Sequence, residues 1–259
     1  MAPVPASHPQ VAVTLVLLLS VLGLAAGGKL LVVPVDGSHW LSMREVLDGL
    51  SEKGHEIVVV APEVSLYIKP RKSFVMKMYP VPFTQEDMDE NFHAFSQEAF
   101  QEGSFLDLEE SKYDALFTDP VIPCGQILAE HLSVPSVYFL RGIPCGIDFE
   151  ATQCPNPPSY VPRVFTEHTD RMNFLQRVKN LVFDVQNFFL CDFMYQPYSK
   201  LASEFLQRDV TVLDLLRKAS IWLLRLDFVL DYPRPLMPNI ILIGGVNCAH
   251  KELPQVGHA

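Results

Sequence analysis

The sequence predicts an α/β fold in which a Rossmann-like parallel sheet is flanked by helices. Residues 30–33 form a short apolar run rich in β-branched side chains, as is typical of a parallel strand buried on both faces. Residues 56–61 form a second run of this kind between a glycine turn and a proline. Between the two runs, apolar residues recur at helical spacing, which predicts a helix. A strand, a helix and a strand over roughly 30 residues make one βαβ unit.

The helix between these strands begins in a turn. Asp36, Gly37 and Ser38 are turn-forming and N-capping residue types. The apolar residues that follow recur three and four positions apart, which predicts one buried helix face. They are Met43, Val46, Leu47 and Leu50.

The rest of the chain continues the alternation. A second βαβ unit is predicted from a strand in residues 113–120, a helix at 123–132 and a strand at 135–140. Residues 141–162 hold many prolines and predict an irregular loop on the ligand side of the sheet. The other predictions are a helical turn at 64–68, strands at 74–81, 221–224 and 240–243, an acidic helix at 86–105 and helical structure over 170–216.

A bulky apolar stretch at residues 183–193 has two interpretations. It can pack in the core or form a surface that touches a membrane, and we expect the core because most large apolar side chains are buried.

Composition excludes several classes of function. The chain has 259 residues, and its 30 acidic against 20 basic residues give a formal charge of −10, which argues against a nucleic-acid partner. The five cysteines are dispersed, with no Cys-x-x-Cys or His-x-x-x-His pair, so neither a disulfide scaffold nor a metal site is predicted.

The N-terminus predicts entry into the secretory pathway. Residues 11–24 are almost entirely apolar, and Ala25 and Gly27 are small residues of the kind found at signal-peptidase sites. We expect residues 1–27 to be a signal peptide. An uncleaved anchor is the alternative, although the run is shorter than the ~20 residues that span a bilayer.

His39 and Asp119 are the candidate site residues. Each follows a predicted parallel strand, and ligands bind at the carboxyl ends of such strands. A His/Asp pair there can take a proton from a hydroxyl while the carboxylate stabilises the imidazolium. Two structural alternatives stay open: His39 held by a backbone group, and Asp119 capping the next helix.

Five motifs resemble the vertebrate UDP-glucuronosyltransferases, specifically their 1A group. These are residues 36–42 (DGSHWLS), 54–58 (GHEIV), 118–120 (TDP), 152–160 (TQCPNPPSY) and 231–235 (DYPRP). The resemblance covers nearly all of residues 29–255. It implies the N-terminal, acceptor-binding half of a GT-B glycosyltransferase in the lumen of the endoplasmic reticulum.

The resemblance also implies roles for residues. His39 would be the general base on the acceptor hydroxyl and Asp119 its charge partner, with inversion at the anomeric carbon, no metal and no tightly bound cofactor. UDP-glucuronate would be the co-substrate, and the acceptors would be lipophilic hydroxylated molecules such as phenols and bilirubin-like or steroid-like compounds. Acceptor contacts are expected from Ser38, Trp40, Phe92, Arg141 and Phe188.

Two departures from the family shape the functional hypotheses. The resemblance ends at Gln255, before a divergent tail at residues 256–259, and the family's donor domain and transmembrane helix do not follow. The stretch between Phe105 and Tyr113 is also shorter than in the family. We expect the acceptor half of a glucuronosyltransferase that associates with itself or related transferases, with peripheral membrane contact. A non-catalytic form that modulates full-length transferases and a soluble carrier of hydrophobic molecules are the alternatives.

Overall fold

The computed structural model describes residues 27–82, 84, 108, 111–143, 145–163, 166–228 and 231–246. Residues 1–26 of the predicted signal peptide, the predicted helix at 86–105 and Phe92 lie outside these residues. Within them the strands are β1 Lys29–Val33, β2 Glu56–Pro62, β3 Val75–Tyr79, β4 Ala115–Thr118, β5 Ser136–Leu140, β6 Ile221–Leu224 and β7 Ile240–Leu242. The helices are α1 Ser38–Glu52, α2 Cys124–Leu132, α3 Ile147–Thr152, α4 Phe174–Leu206 and α5 Val212–Leu216.

The seven strands form one parallel sheet, as the alternation of strands and helices predicts. Their order is β3-β2-β1-β4-β5-β6-β7, and every neighbouring pair is parallel. The chain moves outward in one direction from β1 to β3 and then returns to place β4 on the other side of β1. This reversal creates a crevice at the carboxyl ends of β1 and β4, where ligands bind in open α/β sheets.

Both faces of the sheet are covered by helices. Adjacent residues of a strand point to opposite faces, and Leu31 and Val32 of β1 are both fully buried. Val32 packs in one cluster with Trp40 and Met43 of α1, whereas Leu31 packs with Leu128 of α2 on the other face. Burial on both sides explains why the strands are continuous apolar runs in the sequence.

Two sequence predictions about loops are wrong. Residues 64–68 form bends, not a helical turn, because the carboxylate of Asp36 accepts hydrogen bonds from the backbone N–H groups of Leu66 and Tyr67. The loop predicted at 141–162 contains α3, whose N-cap Gly146 has a left-handed conformation (φ 77°) and whose first turn carries acidic residues. Those carboxylates favour a helix start.

The long helix α4 begins with a capping box between Asn173 and Gln176. The expectation that residues 183–193 are core is wrong for this helix. Phe188, Phe189 and Phe193 expose 68%, 66% and 80% of their surface. Periodic spacing alone predicts that one face is apolar but not which neighbour covers that face.

α4 is fastened to the region that follows β5. A disulfide joins Cys145 to Cys191. Arg163 is buried and donates hydrogen bonds to Asp184 through both its Nε and Nη2 atoms. Asn180, which is fully buried, donates to the carbonyls of Pro158 and Val161. These contacts make residues 145–163 and the first half of α4 one rigid wall.

A buried carboxylate lies inside this wall. Asp148 exposes 7% of its surface, and its Oδ1 atom has no hydrogen-bond partner within the described structure. Burial raises the pKa of the Asp148 carboxyl to about 6, although the positive charge of Arg234 acts in the opposite direction. The folded protein therefore holds a proton on Asp148 at a pH where an unfolded chain releases it.

Asp148→Asn is expected to change the pH dependence of stability. A raised pKa in an acid stabilises the fold fully below the unfolded value of 3.8, and this contribution is lost as the pH rises through about 6. Urea unfolding between pH 4 and pH 7 measures it. The free energy of unfolding of the unsubstituted chain should fall relative to the variant by roughly 1–3 kcal/mol. Parallel curves for the two proteins would contradict the assignment.

Candidate active site

His39 and Asp119 meet in the crevice between β1 and β4. His39 is the second residue of α1, and α1 follows β1 after a short turn. Asp119 comes directly after β4, whose last residue Thr118 pairs with Val33 at the end of β1. Because the two strands are adjacent and parallel, both side chains reach the same edge of the sheet.

The two side chains form a close hydrogen bond. His39 Nδ1 lies 2.6 Å from Asp119 Oδ2, and the side chain of Asp119 is fully buried while that of His39 is 31% exposed. An ionised carboxylate is only an acceptor, so in the pair of a carboxylate and a neutral imidazole the proton lies on Nδ1 and Nε2 presents a lone pair. The geometry suits a general base whose tautomer is fixed by a buried carboxylate.

The structure supports neither of the two alternatives, which were that a backbone group holds His39 and that Asp119 caps the next helix. The other oxygen of Asp119, Oδ1, accepts a hydrogen bond from the backbone N–H of Val121 at 3.1 Å. α2 starts only at Cys124, after Pro123 and without a side-chain cap, so Asp119 does not cap that helix. His39 contacts a carboxylate instead of a backbone group.

Arg225 is a site residue that the sequence did not reveal. It directly follows β6, donates a hydrogen bond to Ser42 Oγ on α1, and holds its guanidinium 5.5 Å from the ring centre of Phe139. Burial lowers the pKa of Arg225, the nearby charge of Asp119 raises it, and Arg141 lowers it again. The only signal in the sequence is the position of Arg225 at a strand end.

The structure distributes the expected acceptor residues unevenly. Ser38 is exposed at the start of α1, and Arg141 is exposed directly after β5, so both lie at the carboxyl edge. Trp40 is fully buried against Phe74 and donates its indole N–H to the carbonyl of Tyr67. Its expected acceptor contact is therefore wrong, because its position on α1 faces the core.

Phe188 lines a cavity of about 360 Å³ between residues 145–163 and α4. The Cys145–Cys191 disulfide forms part of its wall. One helical turn after Cys191, the hydroxyl of Tyr195 donates to the carbonyl of Val121 at 3.3 Å. Since the N–H of Val121 binds Asp119, the same stretch of α4 adjoins both the cavity and the dyad.

Other chemistries find little support in the described part of the chain. There, no three His, Cys, Asp or Glu side chains gather as metal ligands would. Burial raises the pKa of the Cys124 thiol to about 12, so this cysteine is protonated at neutral pH and is a poor nucleophile.

Comparisons with known proteins agree with the geometry. The family model described as "UDP-glucoronosyl and UDP-glucosyl transferase" matches residues 28–107 and 105–257. The chain is 48% identical to human UDP-glucuronosyltransferase 1A1 over 91% of its own length and 51% of the relative's. It is 49% identical to the rat 1A1 protein over 91% and 50% of the two chains, and 44% identical to human 1A3 over 94% and 52%.

Among solved structures, the kitacinnamycin glycotransferase matches with a TM-score of 0.49 and 14% identity over 84% of this chain and 51% of that one. The calicheamicin glycosyltransferase CalG4 matches with a TM-score of 0.49 and 13% identity over 84% and 51%.

The match to the relatives has two notable features. The chain spans about half the length of the relatives it matches. The alignment with human 1A1 runs over 270 positions, more than the 259 residues of the chain, so it contains gaps on the side of this chain. The two family matches meet at residues 105–107, next to the stretch expected to be shortened.

By sequence, this chain belongs to the UDP-glucuronosyl and UDP-glucosyl transferase family.

Proposed function

We propose that this chain is the acceptor-binding, base-carrying half of a UDP-glucuronosyltransferase. The complete enzyme would transfer glucuronate from UDP-glucuronate to a hydroxyl of a lipophilic small molecule. The hydrogen bond between His39 Nδ1 and the fully buried Asp119 carboxylate carries the proposal. Family membership supports the reaction class.

The proposed reaction begins with the acceptor hydroxyl hydrogen-bonded to His39 Nε2. As the acceptor oxygen bonds to the anomeric carbon, its proton moves to Nε2, and the bond from that carbon to the β-phosphate oxygen of UDP breaks. Attack from the face opposite the leaving group inverts the configuration. Asp119 stabilises the imidazolium that forms, and general-base catalysis of this kind is worth about 10²–10⁴ in rate.

Two cations at the carboxyl edge suit an anionic donor. Arg141 lies close enough for its positive charge to lower the pKa of Arg225, and the two residues directly follow the neighbouring strands β5 and β6. We propose that their combined positive charge faces the negatively charged UDP-glucuronate held by a donor domain like that of the full-length relatives. Fixed charges aimed at a developing negative charge lower the transition-state energy most effectively.

The cavity between residues 145–163 and α4 supports a small-molecule acceptor. The cavity near Phe188 is lined by apolar and polar side chains, including Phe149, Asn156 and Asn187, and its size suits small molecules. Phenols and bilirubin-like or steroid-like compounds are the proposed acceptors. The apolar part of such a pocket separates similar shapes by only about 1–3 kcal/mol, so several acceptors would compete.

The exposed face of α4 supports residence at a membrane. Large apolar side chains cluster there, and no described helix is both long and apolar enough to cross a bilayer. A helix that exposes such an apolar face can lie in the plane of the membrane interface. We propose that the chain works in the lumen of the endoplasmic reticulum with α4 against the membrane surface. The exposed set is Phe174, Leu175, Val178, Leu181, Val182, Val185, Phe188, Phe189, Leu190 and Phe193.

No observation specifically favours the alternative of a non-catalytic short form. Its basis is that the resemblance covers only the acceptor half, whereas the described residues hold an intact His39–Asp119 pair. Association with related transferases is compatible with either function and is part of the proposal.

His39→Ala is expected to lower turnover of a phenol by about 10²–10⁴, because the proton acceptor is lost. The test uses a hybrid enzyme in which the remaining part of human 1A1 follows residue 255. His55→Ala is the control, since His55 accepts a hydrogen bond from the Gly28 backbone at the opposite end of the sheet. Near-normal turnover of the His39 variant would refute the base assignment.

Replacing Phe188, Phe189 and Phe193 together by serine is expected to weaken binding of the chain to phosphatidylcholine vesicles by more than tenfold. Each buried aromatic side chain contributes roughly 1.5–3 kcal/mol. The half-exposed Phe228, which lies outside α4, provides the control substitution Phe228→Ser. Unchanged vesicle binding would contradict membrane contact, and self-association without vesicles would assign the face to a second copy of the chain.

A further inference from the structure

The helix that carries His39 starts without a capping side chain. Its N-cap is Gly37, whose backbone has φ 78° and ψ −143°, and no side chain accepts a hydrogen bond from the first turn. An uncapped first turn leaves backbone N–H groups without partners. The position of His39 therefore depends on what fixes the preceding turn.

Asp36 fixes this turn to a second loop. Its Oδ1 atom accepts hydrogen bonds from the N–H of Gly37 at 2.7 Å and of Tyr67 at 3.1 Å, and Oδ2 accepts from the N–H of Leu66 at 2.6 Å. Leu66 and Tyr67 lie in the connection between β2 and β3. One carboxylate thus joins the ends of β1 and β2 through three backbone groups.

The second loop is a firm support. The indole N–H of Trp40 donates to the carbonyl of Tyr67 at 3.0 Å. The buried hydroxyl of Ser65 donates to the carbonyl of Ile68 at 2.7 Å, and Ile68 is itself 2% exposed. A movement of the Asp36 turn would therefore break contacts on both sides of His39.

We propose that Asp36 is a positioning residue that holds His39 at hydrogen-bond distance from Asp119. The inference rests on the proposed function, because it names the group that sets the geometry of the same dyad. A displacement of about 1 Å in a catalytic group can cost about 10²-fold in rate. The β1–β4 pairing fixes Asp119, while Asp36 fixes the turn that leads into His39.

The role requires a carboxylate. Two carboxylate oxygens accept three N–H groups, whereas an asparagine offers one acceptor oxygen and an NH₂ group that opposes a backbone N–H. Asp36→Asn therefore keeps the size of the side chain but loses at least one link between the two loops. Charge-assisted hydrogen bonds are roughly twice as strong as neutral ones, which enlarges the loss.

Asp48 supplies a matched control on the same helix. Its carboxylate also ties α1 to the β2–β3 connection, by accepting from Arg71 Nη1 at 2.6 Å and from Ser73 Oγ at 3.0 Å. Asp48 lies nine residues after His39, more than two helical turns away. Asp48→Asn weakens a more exposed link between the same helix and the same connection without touching the turn that positions the base.

The first experiment observes the imidazole N–H proton of His39 by NMR in this chain, assigned by its loss in His39→Gln. Asp48→Asn should keep this low-field resonance, and Asp36→Asn should broaden or abolish it. If Asp36→Asn keeps the resonance as Asp48→Asn does, the positioning role is wrong and the dyad stands. If the unsubstituted chain lacks the resonance, the dyad is wrong and both proposals fail.

The second experiment measures phenol turnover in the hybrid enzyme. Asp36→Asn should lower kcat by about 10–100-fold with little change in the KM for UDP-glucuronate, while Asp48→Asn should stay within twofold of the unsubstituted hybrid. Equal activity of the two variants would overturn the positioning role. An equal loss in both would also overturn it, since it would show only a general loss of stability.

Discussion

The buried carboxylate of Asp119 is the constraint around which the rest of the site is arranged. An ionised carboxylate removed from water is costly unless opposite charge and hydrogen-bond donors surround it. Here the imidazole of His39, the backbone N–H of Val121 and the nearby guanidinium of Arg225 provide that environment. These three groups come from different parts of the chain, and the order of the strands in the parallel sheet brings them together.

This arrangement explains how the Nε2 atom of His39 can be presented at the crevice while its carboxylate partner, Asp119, stays buried. The carboxylate sits below the imidazole and out of solvent, while the imidazole is partly exposed at the crevice. The turn before His39 is fixed by Asp36, and the end of β4 is fixed by its pairing with β1. The chain spans about half the length of the relatives it matches.

Much of the fold can be predicted from the sequence because the strands and the helices each have a characteristic spacing of apolar residues. Strands buried on two faces appear as continuous apolar runs, so the strand assignments were correct to within one or two residues. His39 and Asp119 could be paired in advance because each follows a strand and carboxyl ends of parallel strands share one edge. The resemblance to transferases then assigned the pair a role.

The wrong sequence predictions have a common physical cause. The amino-acid sequence does not show which neighbouring element covers each face of a helix. The resemblance implies an acceptor contact for Trp40, the residue after His39, but successive helical residues point about 100° apart, and Trp40 is buried in the core. The aromatic half of α4 was expected in the core and is exposed. Arg225 could not be singled out, because its contacts with Ser42 and the Asp119 charge join segments far apart in sequence.

The central claim is that His39 and Asp119 act as one catalytic unit, and a double-mutant cycle on turnover tests it most directly. His39→Ala, Asp119→Asn and the double variant would be compared in the hybrid enzyme with a phenol acceptor. Residues that work as a unit show strongly non-additive losses. If His39 and Asp119 act as one unit, the double variant is no slower than the slower single variant. Losses that multiply would show that the two residues act independently and would contradict the account.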